Sequence, residues 1–165
     1  MTREERKQQL ELYGKASQLL HQAIREFPKE MWKFKPAPTQ WSIHEIIIHI
    51  TDSEINSYVR CRCFIAEPGK TIMAYDQDKW AIKLDYHNQS TDEALALFTL
   101  LRHSSFRLIA AIDEKTWANT ISHPENGLMT MDDWLLIYAD HIPLHIRQMK
   151  RVYDTWKNRQ HEKQH

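Results

Sequence analysis

Apolar residues recur at steps of three and four along four long stretches of the chain, the spacing of one buried helix face. The first runs roughly from Glu4 to Phe27, with Leu10, Tyr13, Ser17, Leu20, Ile24 and Phe27 on one stripe. Pro28 ends it, and the segment to Gln40, with Pro36 and Pro38, reads as a loop. A second helix starts at Ser42, where Glu45 three residues on completes a capping-box pattern, and runs to about Ala66, ahead of Pro68-Gly69. Ser90 and Glu93 repeat that signal for a third helix, which turns Ala94, Phe98, Leu101, Leu108 and Ile112 inward and ends near Asp113. The fourth starts at Thr130 with Asp133 in the matching place and runs to about Arg159, where the tail frays. Its inward stripe is Trp134, Tyr138, His141, His145, Met149, Val152 and Trp156.

The connections are longer than simple turns. Pro68 to Gln89 has room for a short helix over Tyr75–Leu84, and loops of this length are often functional. Glu114 to Met129 contains His123-Pro-Glu-Asn-Gly127, a strong turn signal. No run alternates apolar and polar residues well enough to read as a strand. The pattern predicts an all-α fold, a four-helix bundle with long crossover connections, as a single domain over residues 1–165.

Composition agrees. A chain of 165 residues with 42% apolar and 27% charged residues falls in the globular range, and 3 Gly and 6 Pro favour long helices. Lys plus Arg equals Asp plus Glu at 22 each, so the basic surplus of a nucleic-acid binder is missing. Cys61 and Cys63, two apart on a helix, point to different faces and read as free thiols of a reducing compartment. The charged start, Met1-Thr-Arg-Glu-Glu-Arg-Lys, is followed by no apolar run of a signal peptide, and no stretch approaches the ~18 apolar residues of a membrane span. A cytoplasmic protein is expected.

The chemistry lies on the fourth stripe, where His141 and His145 replace apolar residues. Four apart on a helix, their Cβ atoms stand about 5–6 Å from each other. Both imidazoles can then reach one metal ion at about 2.1 Å. The bland alternative is a pair of core histidines bonded to Tyr138 or Asp52. A third ligand has to come from another helix, and His49, beside Ile46, Ile50 and Ser53 on the inner side of the second helix, is the candidate. Glu45 and Asp52, one turn either side of His49, are candidates to orient its ring, approach the metal or move protons. Three imidazoles leave a tetrahedral metal one open position, the arrangement of catalytic zinc. Asn56, Arg60, Tyr75, Trp80 and Tyr138 are candidate pocket groups. Pro143, between the two histidines, is expected to kink the helix. His161 and His165 share the four-residue spacing but sit on the tail, and His21, His44, His87, His103 and His123 read as surface or loop residues. A di-iron bundle needs Glu-x-x-His on two helices, and neither histidine region has it.

Two segments carry a resemblance. Trp41-Ser-Ile-His-Glu-Ile-Ile-Ile-His49 and Asp140-His141-Ile-Pro-Leu-His145-Ile-Arg-Gln148 resemble the signatures of the DinB/YfiT superfamily. So do His49-Ile-Thr-Asp-Ser-Glu-Ile-Asn-Ser-Tyr58-Val-Arg60, Ala74-Tyr-Asp-Gln-Asp-Lys-Trp80-Ala and His123-Pro-Glu-Asn-Gly127. The resemblance implies a four-helix bundle whose three histidines, here His49, His141 and His145, bind one divalent metal, usually nickel or zinc. It further implies a metal-dependent hydrolase, or an S-transferase or isomerase using a low-molecular-weight thiol such as bacillithiol, mycothiol or glutathione, and a homodimer. The expected partner is a small-molecule substrate, with no nucleic acid and no membrane. The rival expectation is a non-catalytic helical module in which the metal is structural or the bundle binds a partner.

Overall fold

The computed structural model describes residues 1–162, so His165 lies outside the described residues. Four long helices, α1 (Arg3–Ile24), α2 (Ile43–Ala66), α4 (Thr91–Ile109) and α5 (Met131–Glu162), form a bundle, and a short α3 (Gln77–Lys83) lies in the connection between α2 and α4. Going round the bundle the neighbours are α1, α4, α2 and α5. The consecutive pairs α1/α2 and α4/α5 therefore stand on diagonals, which is why their connections are long. No helix among the described residues is long and apolar enough to cross a membrane.

The helix starts are set by local chemistry. Ser42 Oγ accepts the Glu45 N–H while the Glu45 carboxylate accepts the Ser42 N–H, and Thr2 with Glu5 does the same for α1. Ser90 Oγ accepts from the Glu93 N–H at α4, and Thr130 and Asp133 exchange backbone-to-side-chain bonds at α5. Each reciprocal pair satisfies two N–H groups that helix geometry leaves orphaned.

Several boundaries and faces differ from the pattern-based expectation. α1 stops at Ile24, before Pro28, and buries Ala16, while Ser17 is half-buried and bonds Thr99. α4 stops at Ile109, because Asp113 caps a following 3₁₀ turn by accepting the Thr116 N–H. The short connecting helix is Gln77–Lys83, trimmed at both ends by the Asp76 cap and Leu84. Two strands that no alternation announced, β1 (Thr120–His123) and β2 (Gly127–Thr130), pair antiparallel, and Thr71 adds a parallel bridge to Ser122. At four residues each they are too short for periodicity to register. The turn signal was the legible part, with Gly127 at φ +72° as the turn requires. α5 runs through Pro143 without interruption. His44 and His123 are buried rather than at the surface.

Two apolar clusters fill the bundle. One gathers Leu20, Ile43, Ile46, Ile47, Phe98, Ile142 and Met149. The other gathers Tyr13, Phe64, Trp117, Met131, Trp134 and Tyr138. Between them α2 and α4 contribute buried polar residues, Ser53, Glu54, Asn56, Ser57, Arg102 and Ser105. Arg102, 1% exposed, occupies the inward place expected for Leu101, which is only half-buried. It donates to both oxygens of Glu54 at 2.9 and 2.6 Å and to the Tyr138 carbonyl at 3.1 Å, and it lies 4.0 Å from the centroid of the Tyr13 ring. One guanidinium on α4 thus touches α1, α2 and α5.

Removing one partner of such a pair strands the other charge inside the bundle. Arg102→Ala is expected to cost about 3–5 kcal/mol in urea-unfolding free energy, with the Glu54→Leu/Arg102→Met double variant recovering most of it. A loss below about 1 kcal/mol in the single variant would contradict this role for the pair.

Candidate metal centre

His49 comes from the second turn of α2 and His141 and His145 from successive turns of the facing α5. Each offers one ligand atom, and the three atoms lie within 4.8 Å of one another. Among the described residues this is the sole group of three or more His, Cys, Asp or Glu side chains so arranged. The Nε2 atoms of His141 and His145 are 3.1 Å apart with rings nearly perpendicular at 81°. Two nitrogens bound to one tetrahedral ion at 2.1 Å stand about 3.4 Å apart, so this pair already has the spacing of metal ligands. His49 completes the set with its ring centroid 4.9 Å from that of His145 and 5.7 Å from that of His141.

The electrostatics suit neutral ligands. Burial drives the His49 pKa down to about 3, with the charge of a protonated His145 adding to the effect. His141 is driven well below its ordinary value by burial and by its two imidazole neighbours, and burial lowers His145 too. His145 Nδ1 lies 2.8 Å from Gln148 Oε1. That bond assigns the His145 proton to Nδ1 and leaves the Nε2 lone pair facing the cluster. The Nδ1 atoms of His49 and His141 are buried without a partner. At the 3.1 Å contact two Nε2 atoms face each other with one proton, or one ion, to share between them, which is the arrangement two ligands of one metal need.

The carboxylates named from the sequence go elsewhere. Glu45 is committed to the α2 cap and to an ion pair with Lys35 at 2.9 Å, and these partners hold its pKa down against the opposing effect of burial. Asp52 accepts from the Tyr86 hydroxyl, and neither carboxylate joins the histidine group. Spacings of four and three keep Glu45 and Asp52 near the His49 face of α2, but each carboxylate is taken by another partner, Glu45 by Ser42 and Lys35 and Asp52 by Tyr86. Asn56 donates to the Asp52 carbonyl. Arg60 donates to the Tyr138 hydroxyl at 3.2 Å and the Met73 carbonyl at 2.9 Å. Tyr75 and Trp80 pack on one another, with ring centroids 4.5 Å apart. Tyr138 stands beside the cluster, its ring 5.9 Å from that of His141.

Two further residues belong to the centre. Gln148 orients His145, and the Trp41 ring lies 4.6 Å from His49. Three-residue spacing after His145 was the available signal for Gln148; Trp41, in the residues before the helix, had none beyond the motif. Both line a cavity of about 480 Å³ with Gln77, Asp78 and Arg151, and it is through these two side chains that the cavity neighbours the histidines. A second cavity, about 520 Å³, lies towards the hairpin and is lined by Arg60, Tyr75, Asp76, Gln77, His123, Glu125 and Asn126.

Comparison with known proteins places this architecture. The chain belongs to the DinB superfamily, whose model matches residues 12–149. It is 30% identical over 106 residues to a proposed metal-dependent hydrolase of Oceanobacillus iheyensis, an alignment covering 64% of this chain and 61% of that protein. A proposed metal-dependent hydrolase of Bacillus mycoides is 28% identical over 101 residues, covering 61% of this chain and 58% of the relative. The matched part thus spans about three-fifths of the length of these curated relatives. In structure the chain is similar to YfiT from Bacillus subtilis, described as a probable metal-dependent hydrolase with an unusual four-helix bundle topology. The TM-score is 0.84 at 20% identity, over 92% of this chain and 87% of YfiT, so the bundle topology is shared.

The three depressed pKa values make the metal-free protein acid-sensitive. The unfolded chain protonates its histidines near pH 6.5 and the folded cluster refuses them. The stabilisation is therefore complete above about pH 6.5 and is lost as pH falls below it. Urea-unfolding free energies of chelator-treated protein should drop between pH 7.5 and 5.5, by up to about 1.4 kcal/mol per pH unit for each imidazole that stays neutral. A triple His→Ala variant should lose most of this slope; an equal slope in that variant would refute the assignment.

Proposed function

We propose that this protein is a metal-dependent enzyme acting on an electrophilic small molecule, with one nickel or zinc ion held by His49, His141 and His145. The observation that carries the reading is the pair of Nε2 atoms 3.1 Å apart, joined by a third buried imidazole and by no carboxylate. Imidazole nitrogens suit zinc and nickel, and three of them leave a coordination position open. When bound, such an ion acidifies a water or a thiol and presents it as a nucleophile near neutral pH. The names of the relatives support hydrolysis; the same site would accept a low-molecular-weight thiol, which makes S-transfer the second form of the reaction.

The chain's own residues do the rest. Gln148 fixes the His145 tautomer, and Trp41 packs beside His49, both lining the neighbouring cavity. Tyr138 walls the opposite side, its hydroxyl held by Arg60. The dry apolar layer formed by Ile46, Ile142 and Met149 lies behind the cluster and keeps the imidazoles neutral and ready to ligate.

Plasma mass spectrometry of untagged protein should find about one nickel or zinc per chain, and His49→Ala should lose both the metal and any hydrolase or thiol-transfer activity. Absence of metal after incubation with either ion, or full activity in His49→Ala, would refute the reading. Gln148→Ala tests the supporting shell, with metal affinity expected to fall about 10–100-fold. An unchanged affinity would show that the bond to His145 has no part in ligation.

A further inference from the structure

The cavity at the hairpin contains a cation that forms no ion pair among the described residues. Arg60, on α2, is half-buried, and its Nε is fully buried with no acceptor. Its two terminal nitrogens donate to neutral oxygens only, the Tyr138 hydroxyl and the Met73 carbonyl. No Asp or Glu pairs with it among the described residues, although ten other ion pairs form. A guanidinium has five N–H donors in a fixed fork, so after these two bonds each terminal nitrogen keeps an N–H to offer. The two protein acceptors also hold the fork still, which removes part of the ordering cost of binding.

The other walls add donors. His123, at the end of β1, accepts the backbone N–H groups of Glu125 and Asn126 on Nδ1, at 3.2 and 3.3 Å. Its neutral ring therefore carries its proton on Nε2, which has no protein acceptor among the described residues. The carboxamides of Gln77 and Asn126 complete the lining. Two carboxylates also line the cavity: Asp76 accepts the Lys79 N–H to cap α3, and Glu125 is exposed to solvent. The lining thus sets donors from Arg60, His123, Gln77 and Asn126 beside two carboxylates, neither of which pairs with Arg60.

We propose that this cavity binds an oxyanion, the carboxylate or phosphoryl group of the substrate, on the terminal N–H groups of Arg60. The direction is set by Tyr138, which bonds Arg60 with its hydroxyl and stands beside His141 with its ring. A small anionic molecule anchored at Arg60 has its other end towards the three histidines. Arg60 is then a specificity residue that selects anionic substrates, and Gln77, which lines both cavities, marks where they adjoin. The inference deepens the metal-dependent reading by naming a substrate class, and its direct test is binding rather than turnover.

Inorganic phosphate and acetate are titrated calorimetrically into the full chain, metal-loaded and chelator-treated, in the wild type, Arg60→Gln, Arg60→Lys and His141→Ala/His145→Ala. At least one anion is expected to bind the wild type, about tenfold or more weakly to Arg60→Gln, with Arg60→Lys between them. The preferred anion distinguishes a phosphoryl from a carboxylate group. Binding is expected to persist without metal and in the double histidine variant, so a failure of the metal reading leaves it standing. Equal affinity in Arg60→Gln, or no binding of either anion to the wild type, overturns the proposal. Binding that disappears with the histidines but survives Arg60→Gln places the anion on the metal and also overturns it. Should Arg60→Gln fail to fold, phenylglyoxal modification of Arg60 in the wild type, followed by mass spectrometry, decides. The bound anion should slow that modification, and an unchanged rate overturns the proposal.

Discussion

The ion pair between Arg102 and Glu54 is the constraint on which the arrangement of the bundle depends. Both side chains are almost wholly enclosed, and burial raises the Glu54 pKa against the pull of Arg102 and Tyr13. Enclosing two charges is costly unless every donor and acceptor is matched. The match here uses groups on all four long helices, the Tyr13 ring and carbonyl, both Glu54 oxygens and the Tyr138 carbonyl. An apolar core tolerates sliding and rotation of its helices; a charge with fixed hydrogen-bond directions does not. The register of α2 against α5 follows from it, and so does the meeting of His49 with His141 and His145, one to two turns further along α5 than Tyr138.

This constraint is also what the sequence conceals. Periodicity marks which residues face inward on the assumption that inward means apolar, so Arg102 was passed over for Leu101. Its partner lies 48 residues earlier on another helix, and no local pattern links the two. The hairpin escaped for a different reason, since four-residue strands leave alternation no length over which to appear. What was legible rested on local chemistry. Ser42 with Glu45, Ser90 with Glu93 and Thr130 with Asp133 fixed three helix starts to within a residue, because capping bonds form between side chains and backbone three positions apart wherever the helix later packs.

The candidate site shows the same division. His141 and His145 were readable because two residues four apart on one helix are neighbours whatever the tertiary fold, and His49 was readable as the polar break in a run of isoleucines. Glu45 and Asp52 stand outside the histidine group because adjacency along α2 says nothing about which neighbour a carboxylate finds. Glu45 was already required by its own helix cap, a use that competes directly with orienting an imidazole. Asp52 turned to Tyr86, on a 3₁₀ segment that the helical pattern did not foresee.

The loss of those carboxylates bears on the chemistry. A carboxylate among the ligands lowers the net charge of a bound divalent ion, and with it the ion's power to acidify what it holds. A shell of three neutral imidazoles leaves the full double charge to act on the ligand in the open position. Neutral glutamine in place of a carboxylate behind His145 works in the same direction, since it fixes the ring without making it a stronger electron donor. Arg60 forms no ion pair, so the field at its open N–H groups is positive, as it is at the three histidines once an ion is held. Such a field favours nucleophiles that react as anions and substrates that arrive as anions, which joins the site's chemistry to its selectivity.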